Sequence, residues 1–383
     1  MILSYDDLSG VGGSMSLIRH EIEYFDARGQ IAVFCEAPKQ PVVKLPNPIF
    51  FVHPKLPLRS LSLMFSELLI LLKLIRHSKT TGVRVYHAHD VYIGFPAAIA
   101  AKLLGIRLVL TVHGPASYEF ANFYRKRFNQ FKFSDMFYLA LLSILEKFAY
   151  MKANAVVAVS DFERRFIEKL RRRNLFVVRN GVDLNMFRPT LDKQETRRSI
   201  GLPTDKRIIT FVGRMVPKNG VLIIAQAIPL VTEARKDRIF VFVGDGFATD
   251  DCKDIVNLTG VASNVIFVGR RSRPLPYYQA SDLFVSHVSS LVEGVGLTVY
   301  EAMSCGLPVI VGSDRVSCHL LSDVAYFVEK DSPSVLAKEI TRVLSTVDFD
   351  KEKIRMRMFA EEFLDLRQTL ETYDRLLFEG FKD

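Results

Sequence analysis

The chain alternates short apolar runs rich in Val, Ile and Phe with longer segments whose apolar residues recur at helical spacing. The runs predict strands at 2–5, 31–35, 83–88, 108–113, 155–160 and 176–179 in the first half. In the second half they predict strands at 208–213, 239–244, 265–269, 283–286 and 309–312. Near-continuous apolar strands separated by helices imply parallel sheets covered on both faces. About five strands per half predict an α/β chain of two doubly wound domains. Gly181 and Pro189 interrupt regular structure between the halves and mark the hinge. The expected boundaries are 1–181, 182–350, and a helical segment 351–383. The apolar spacing of that segment (Phe363, Leu366, Leu370, Tyr373, Leu377) predicts a return to the first domain. Open α/β sheets bind ligands beyond the carboxyl ends of their strands. The two domains are therefore expected to face each other across a cleft lined by the loops that follow the strands.

Composition narrows the class. With 383 residues, 49% hydrophobic and 24% charged, the chain is neither disordered nor fibrous, and it can bury a core without disulfides or metals. The four cysteines (Cys35, Cys252, Cys305, Cys318) form no Cys-x-x-Cys pair, which argues against a zinc knuckle or a disulfide framework and favours a reducing cytoplasm. Glu67 and Lys73 break the most apolar stretch, 61–75, so neither a membrane span nor a signal peptide is expected.

Charge is uneven along the chain. Residues 1–181 carry 25 Lys and Arg against 14 Asp and Glu, and residues 182–383 carry the other 26 against 28. A basic half suggests an anionic counterpart, such as a membrane surface, a phosphorylated lipid or nucleic acid. Residues 118–152 add aromatics, among them Phe120, Tyr124, Phe133 and Phe137, to Arg125, Lys126, Arg127 and Lys132. A basic aromatic stretch suits a lipid interface, and core packing of the same rings is the competing reading.

Two loops carry candidate chemistry. Arg214 and Lys218 lie just past the strand 208–213, ahead of a helix expected from Val221. Two cations beside a helix amino end can neutralise a pyrophosphate. Further on, Glu293-Gly-Val-Gly-Leu-Thr-Val-Tyr-Glu301 opens a helix with a glycine-rich turn, and Gly306 and Pro308 end that helix before the next strand. Eight residues of mostly helical chain span up to about 12 Å, too far for a carboxylate pair acting on one bond. Glu293 and Glu301 are instead spaced to hold two ends of an elongated ligand, a ribose at one end and a sugar at the other.

The segment 293–310 resembles the Glu-x7-Glu signature of the retaining glycosyltransferases of family 4. Gly12-Gly13, Arg28-Gly29, His87-Ala-His-Asp90, Thr111-Val-His-Gly114, Ala158-Val-Ser160, Asn180-Gly-Val-Asp183 and Gly244-Asp-Gly246 follow in that family's order over nearly the whole chain. The resemblance implies the GT-B fold, two Rossmann-like domains, and a donor site in the C-terminal one. Glu301 would hold the nucleotide ribose, Glu293 the transferred sugar, and Arg214 with Lys218 the diphosphate. Backbone amides of Gly294, Val295, Gly296 and Leu297 would approach the donor, Gly12 and Gly13 would let a loop near the phosphates, and His113 would lie beside the anomeric carbon. The chain departs from the family pattern at three places. Val295 replaces the usual Phe, Asn219 stands in the usual lysine slot one residue past Lys218, and residues 313–319 replace Gly-Gly-x-x-Glu.

The resemblance further implies transfer of a hexose with retention, from a UDP- or GDP-linked donor to a hydroxyl acceptor, either a saccharide or a lipid-linked one. Breaking the sugar-phosphate bond leaves an oxocarbenium-like sugar and a diphosphate, which fixed cations stabilise without a metal. Asp348-Phe-Asp350 reads as a solvated pair, so no metal is expected, and no cofactor beyond the nucleotide-sugar co-substrate. The expected setting is the cytoplasm, with peripheral contact to an anionic membrane face, and no nucleic acid partner. Two other readings share these residues: a sugar-nucleotide 2-epimerase of the same fold, and a non-catalytic binder of anionic surfaces.

Overall fold

The structure, a computed structural model, describes residues 1–5, 13–28, 31–36, 45–51, 59–118, 120–121, 133–289 and 295–379. The chain forms two compact units. The N-terminal unit holds residues 1–180 and 369–383, and the C-terminal unit holds residues 181–368.

The N-terminal unit has a seven-stranded parallel sheet. Its strands are β1 (Ile2–Ser4), β2 (Val33–Glu36), β3 (Pro48–Phe51), β4 (Val85–His89), β5 (Arg107–Val112), β6 (Ala155–Ala158) and β7 (Leu175–Val177), in the order β3-β2-β1-β4-β5-β6-β7. The C-terminal unit has six parallel strands: β8 (Arg207–Val212), β9 (Arg238–Val243), β10 (Val265–Gly269), β11 (Leu283–Ser286), β12 (Val309–Gly312) and β13 (Tyr326–Val328). Their order is β10-β9-β8-β11-β12-β13. Both orders reverse direction beside the first strand of the unit, between β1 and β4 and between β8 and β11. That switch point is where doubly wound sheets open a ligand crevice.

Period-two packing explains the strands. In the C-terminal sheet Ile208, Val212, Val241, Val243, Phe284 and Val309 enter one apolar layer, while Ile209, Phe211, Phe240, Phe242, Val285 and Ile310 enter the other. Both faces are buried, so these strands read as unbroken apolar runs. The sequence reading missed β3 and β13. Both are edge strands, β3 alternates exposed and buried positions after an opening proline, and β13 has only three residues.

The C-terminal segment is not one helix. Helix Phe349–Phe363 ends at Leu364, where the chain pairs with Val182, which donates to the Leu364 carbonyl at 2.7 Å. Helix Leu366–Asp374 and the π-turn Arg375–Glu379 follow, and Leu370, Tyr373 and Leu377 are buried while Phe363 is half-exposed. Tyr373 packs on His87 and Arg107 donates to the Leu376 carbonyl, both within the N-terminal unit. Asp348 caps helix Phe349–Phe363 by accepting from the amides of Asp350 and Lys351.

Candidate functional site

In the C-terminal unit the chemistry collects at the β8/β11 switch point. The loops after β8 and β9 cross so closely that only glycine fits. A Cβ on Gly244, at φ +148°, would lie 1.8 Å from the Gly213 carbonyl oxygen, and one on Gly246 would lie 2.3 Å from that of Met215. Gly213 donates to the Val243 carbonyl and Met215 to that of Asp245. Asn219 donates its side-chain amide to the Arg214 carbonyl at 2.9 Å and accepts at its own carbonyl from the His287 amide at 3.2 Å. The residue in the usual lysine slot therefore ties the loop closed, and Arg214 and Lys218 extend from it exposed.

His287, with a left-handed φ of 55°, follows β11 and joins this loop to the next. The Gly296 amide donates to its Nε2 at 3.2 Å, so Nε2 is bare and Nδ1 carries the proton that reaches Ser286 Oγ at 2.7 Å. Burial, then the charges of Lys330 and Lys218, lower its pKa to about 4, which keeps it neutral. Lys330, beyond β13, pairs with Asp314 at 2.8 Å, and Asp314 also accepts from Ser317. The segment that departs from the family pattern thus begins with a charged cap. The sequence reading missed Lys330 because it follows an unpredicted strand.

Gly296 precedes helix Leu297–Ser304, while Val295 and Leu297 pack on the core. One turn in, Glu301 accepts from the Tyr278 hydroxyl at 2.6 Å. Burial pushes the Glu301 carboxyl up to about 7, against the opposing pull of that hydrogen bond. The arrangement offers a helix amino end, two exposed cations and a carboxylate about 6 Å further along the axis. Glu293 and Gly294 lie outside the described residues, as does Gly12 in the N-terminal unit.

In that unit Gly13 begins helix Gly13–Asp26, and His113 follows β5. Asp90, at φ 69°, accepts from the His113 amide at 2.9 Å. Glu146, buried on helix Phe133–Lys152, accepts from Ala116, Ser117 and Tyr150 and so pins the turn beyond His113. His89 Nδ1 lies 3.1 Å from His113 Nε2, and His89 Nε2 lies 3.0 Å from Glu21 Oε2.

The expected basic aromatic stretch divides. Tyr150 is buried, Phe148 packs on Phe95, and Phe133 and Phe137 are exposed. Arg125, Lys126, Arg127 and Lys132 fall outside the described residues. Arg171 is occupied structurally, donating to the carbonyls of Tyr150, Ala153 and Asn154. Among the described residues no helix is long and apolar enough to cross a membrane.

The profile of Glycosyltransferase Family 4 matches residues 11–186, and that of Glycosyl transferases group 1 matches residues 192–358. The chain belongs to glycosyltransferase family 4. It is similar to the UDP-Gal:alpha-D-GlcNAc-diphosphoundecaprenol alpha-1,3-galactosyltransferase of Escherichia coli, 31% identical over 67% of this chain and 64% of that protein. It is also similar to a putative teichuronic acid biosynthesis glycosyltransferase, TuaC, of Bacillus subtilis, 30% identical over 67% of this chain and 60% of that one. The matched region thus spans less than two thirds of these relatives' length. Sucrose-phosphate synthase from Thermosynechococcus elongatus superposes with a TM-score of 0.80 at 18% identity, covering 98% of this family 4 chain and 97% of its own. HepE from Anabaena, solved in complex with UDP, gives 0.76 at 18% identity over 98% of both chains. The fold is GT-B.

Proposed function

We propose that the chain is a retaining hexosyltransferase that takes its sugar from a UDP- or GDP-linked donor and passes it to a hydroxyl of a lipid-linked or saccharide acceptor. The observation that carries this reading is the convergence at the β8/β11 switch point. There the Gly296 helix start, exposed Arg214 and Lys218, and Glu301 one turn in suit a diphosphate followed by a ribose. Arg214 and Lys218 would stabilise charge as it develops on the leaving diphosphate, where fixed donors cost no reorganisation. The leaving phosphate oxygen would take the acceptor proton, so that attack comes on the face the nucleotide leaves. His113 is assigned a hydrogen bond to the transferred sugar, and Glu293 its other hydroxyls. No metal or cofactor enters this reaction.

A lipid-linked acceptor is favoured by the surface of the N-terminal unit. On helix Arg59–Thr81 Leu61, Met64, Phe65, Leu68, Leu69 and Leu72 form an exposed apolar stripe at i, i+3, i+4 spacing. The neighbouring helix Phe133–Lys152 exposes Phe133, Met136, Phe137 and Ile144. Apolar stripes on a basic unit suit an anionic leaflet. The E. coli relative, by its name, acts on an undecaprenol-linked sugar.

The test is a thermal-shift panel of UDP, GDP, ADP and their sugars, followed by NMR of the product's anomeric configuration. A true donor at 100 times its Kd stabilises the fold by about 2.7 kcal/mol. Arg214→Ala should weaken donor binding about 10- to 100-fold, with stability unchanged within about 0.5 kcal/mol because the side chain is exposed. An altered sugar nucleotide formed without acceptor would replace this reading with the epimerase. Absence of any nucleotide stabilisation would remove both.

A further inference from the structure

The N-terminal switch point holds a buried polar chain, and the proposed reaction uses only its last member, His113. Strand β4 places His87 and His89 two residues apart, hence on one sheet face, and Glu21 of helix Gly13–Asp26 lies over them. All three are at most 2% exposed. Glu21 Oε2 lies 3.1 Å from His87 Nδ1 and 3.0 Å from His89 Nε2. His87 Nε2 continues to Thr111 Oγ1 at 2.9 Å, and His89 Nδ1 to His113 Nε2 at 3.1 Å. The chain ends at His113 Nδ1, a buried atom that, like Glu21 Oε1, has no hydrogen-bond partner among the described residues.

Proton counting along this chain gives it a direction. A carboxylate only accepts, so His89 Nε2 donates to Glu21. Burial raises the Glu21 pKa, but the two histidines outweigh it and hold the group at about 2, ionised. With one proton on the His89 ring, the one that Nε2 donates to Glu21, its other nitrogen is an acceptor and His113 Nε2 must supply the proton. His113 is left with a bare Nδ1. Burial lowers the pKa of His113 to about 3, so the ring is neutral when it makes this bond. Asp90 holds the backbone of the same residue and Glu146 the turn beyond it, which leaves ring orientation and tautomer to His89.

We propose that Glu21 and His89 are positioning residues that hold His113 as its Nε2–H tautomer, with Nδ1 presented as a bare acceptor for a ligand hydroxyl. A leucine at position 21 would continue the apolar layer of Leu17, Ile18, Ile22 and Phe25. A buried carboxylate there is costly, and the contacts of its Oε2 with His87 and His89 offset part of that cost. The ligand half of the inference rests on the sugar contact proposed for His113, while the tautomer half does not.

The experiment is two-bond 1H–15N correlation on the full chain labelled at histidine nitrogens, with His113 assigned by its own substitution. In the wild type His113 should show a protonated Nε2 and a bare Nδ1. His89→Leu should turn this into a mixture, and so should the double variant Glu21→Leu with His89→Leu, which removes the buried charge together with its partner and so preserves folding. His87→Leu touches Glu21 but not His113, and should keep the tautomer while lowering stability. A protonated Nδ1 in the wild type, an unchanged tautomer in both variants, or an equal change in His87→Leu would overturn the proposal. So would one equivalent of divalent metal in the purified protein that His89→Leu removes, since the ligand atoms of Glu21, His87 and His89 lie within 4.8 Å of one another. A fixed tautomer whose Nδ1 resonance ignores every nucleotide sugar would support the relay and remove only the sugar contact.

Discussion

The two units wind in the same way about their first strands, yet their switch points are built from opposite materials. At β8/β11 the backbone does the shaping: glycines let two loops cross in contact, and the charged side chains of Arg214 and Lys218 are left exposed. At β1/β4 side chains do it, with Glu21, His87 and His89 gathered in a buried network that runs on to the His113 ring. The first design fails when a side chain is added and the second when one is removed. The units should therefore break under different substitutions.

The largest expected effect is Gly244→Ala. The new Cβ would sit 1.8 Å from the Gly213 carbonyl oxygen at a φ of +148°, so backbone must move. We expect a loss of about 3 kcal/mol or more in the C-terminal unit, read from the chemical-denaturation midpoint by far-UV circular dichroism. Gly260→Ala, at φ +71° with nothing within 4 Å, carries only the left-handed penalty of roughly 1–2 kcal/mol. Equal losses in the two variants would show that the crossing is not what fixes the loop.

The contrast between the units also decides what was legible in the sequence. Central strands, buried on both faces, announce themselves as apolar runs, and the glycine loops and Glu301 sit at readable spacings along one segment. The edge strands β3 and β13 are half-exposed or very short and give no such run. Side-chain networks are harder still. Glu21 meets His89 across 68 residues and Glu146 meets Ser117 across 29, separations that no local pattern encodes. His87-Ala-His-Asp90 was visible as a motif, but the carboxylate that gives its histidines a direction was not. Lys330 acts on His287 only because β13 folds it there.

A subtler test uses pH. Burial raises the Glu301 carboxyl from 4.5 to about 7, so the folded state holds that proton more tightly than the unfolded chain. Its contribution to stability is full below about pH 4.5 and is lost as pH rises through 7. The ribose contact proposed for Glu301 needs the ionised form as acceptor, so on that proposal donor affinity should move the other way, rising several-fold between pH 6 and 8. His287, neutral throughout, adds nothing in this window. Titration calorimetry with the preferred nucleotide sugar, beside unfolding midpoints over the same range, should show the two trends crossing. Glu301→Gln should flatten both. A pH-dependent affinity that survives in Glu301→Gln would place the titrating group elsewhere.

The smallest effect concerns the surface rather than either crevice. Leu68 and Leu72 belong to the exposed stripe on helix Arg59–Thr81, whereas Leu230, similarly exposed, belongs to the C-terminal unit. If the N-terminal unit rests on an anionic leaflet, burying the two leucines in the interface contributes on the order of 1 kcal/mol or more each. The variant Leu68→Glu with Leu72→Glu should then lower flotation with phosphatidylglycerol-containing liposomes about tenfold or more, and added salt should weaken what binding remains. Leu230→Glu should change nothing. Equal losses from the two surfaces would mean that added negative charge, not the stripe, sets the binding. Flotation indifferent to both substitutions would free the acceptor from any need to be reached at a membrane, and would leave the saccharide alternative standing.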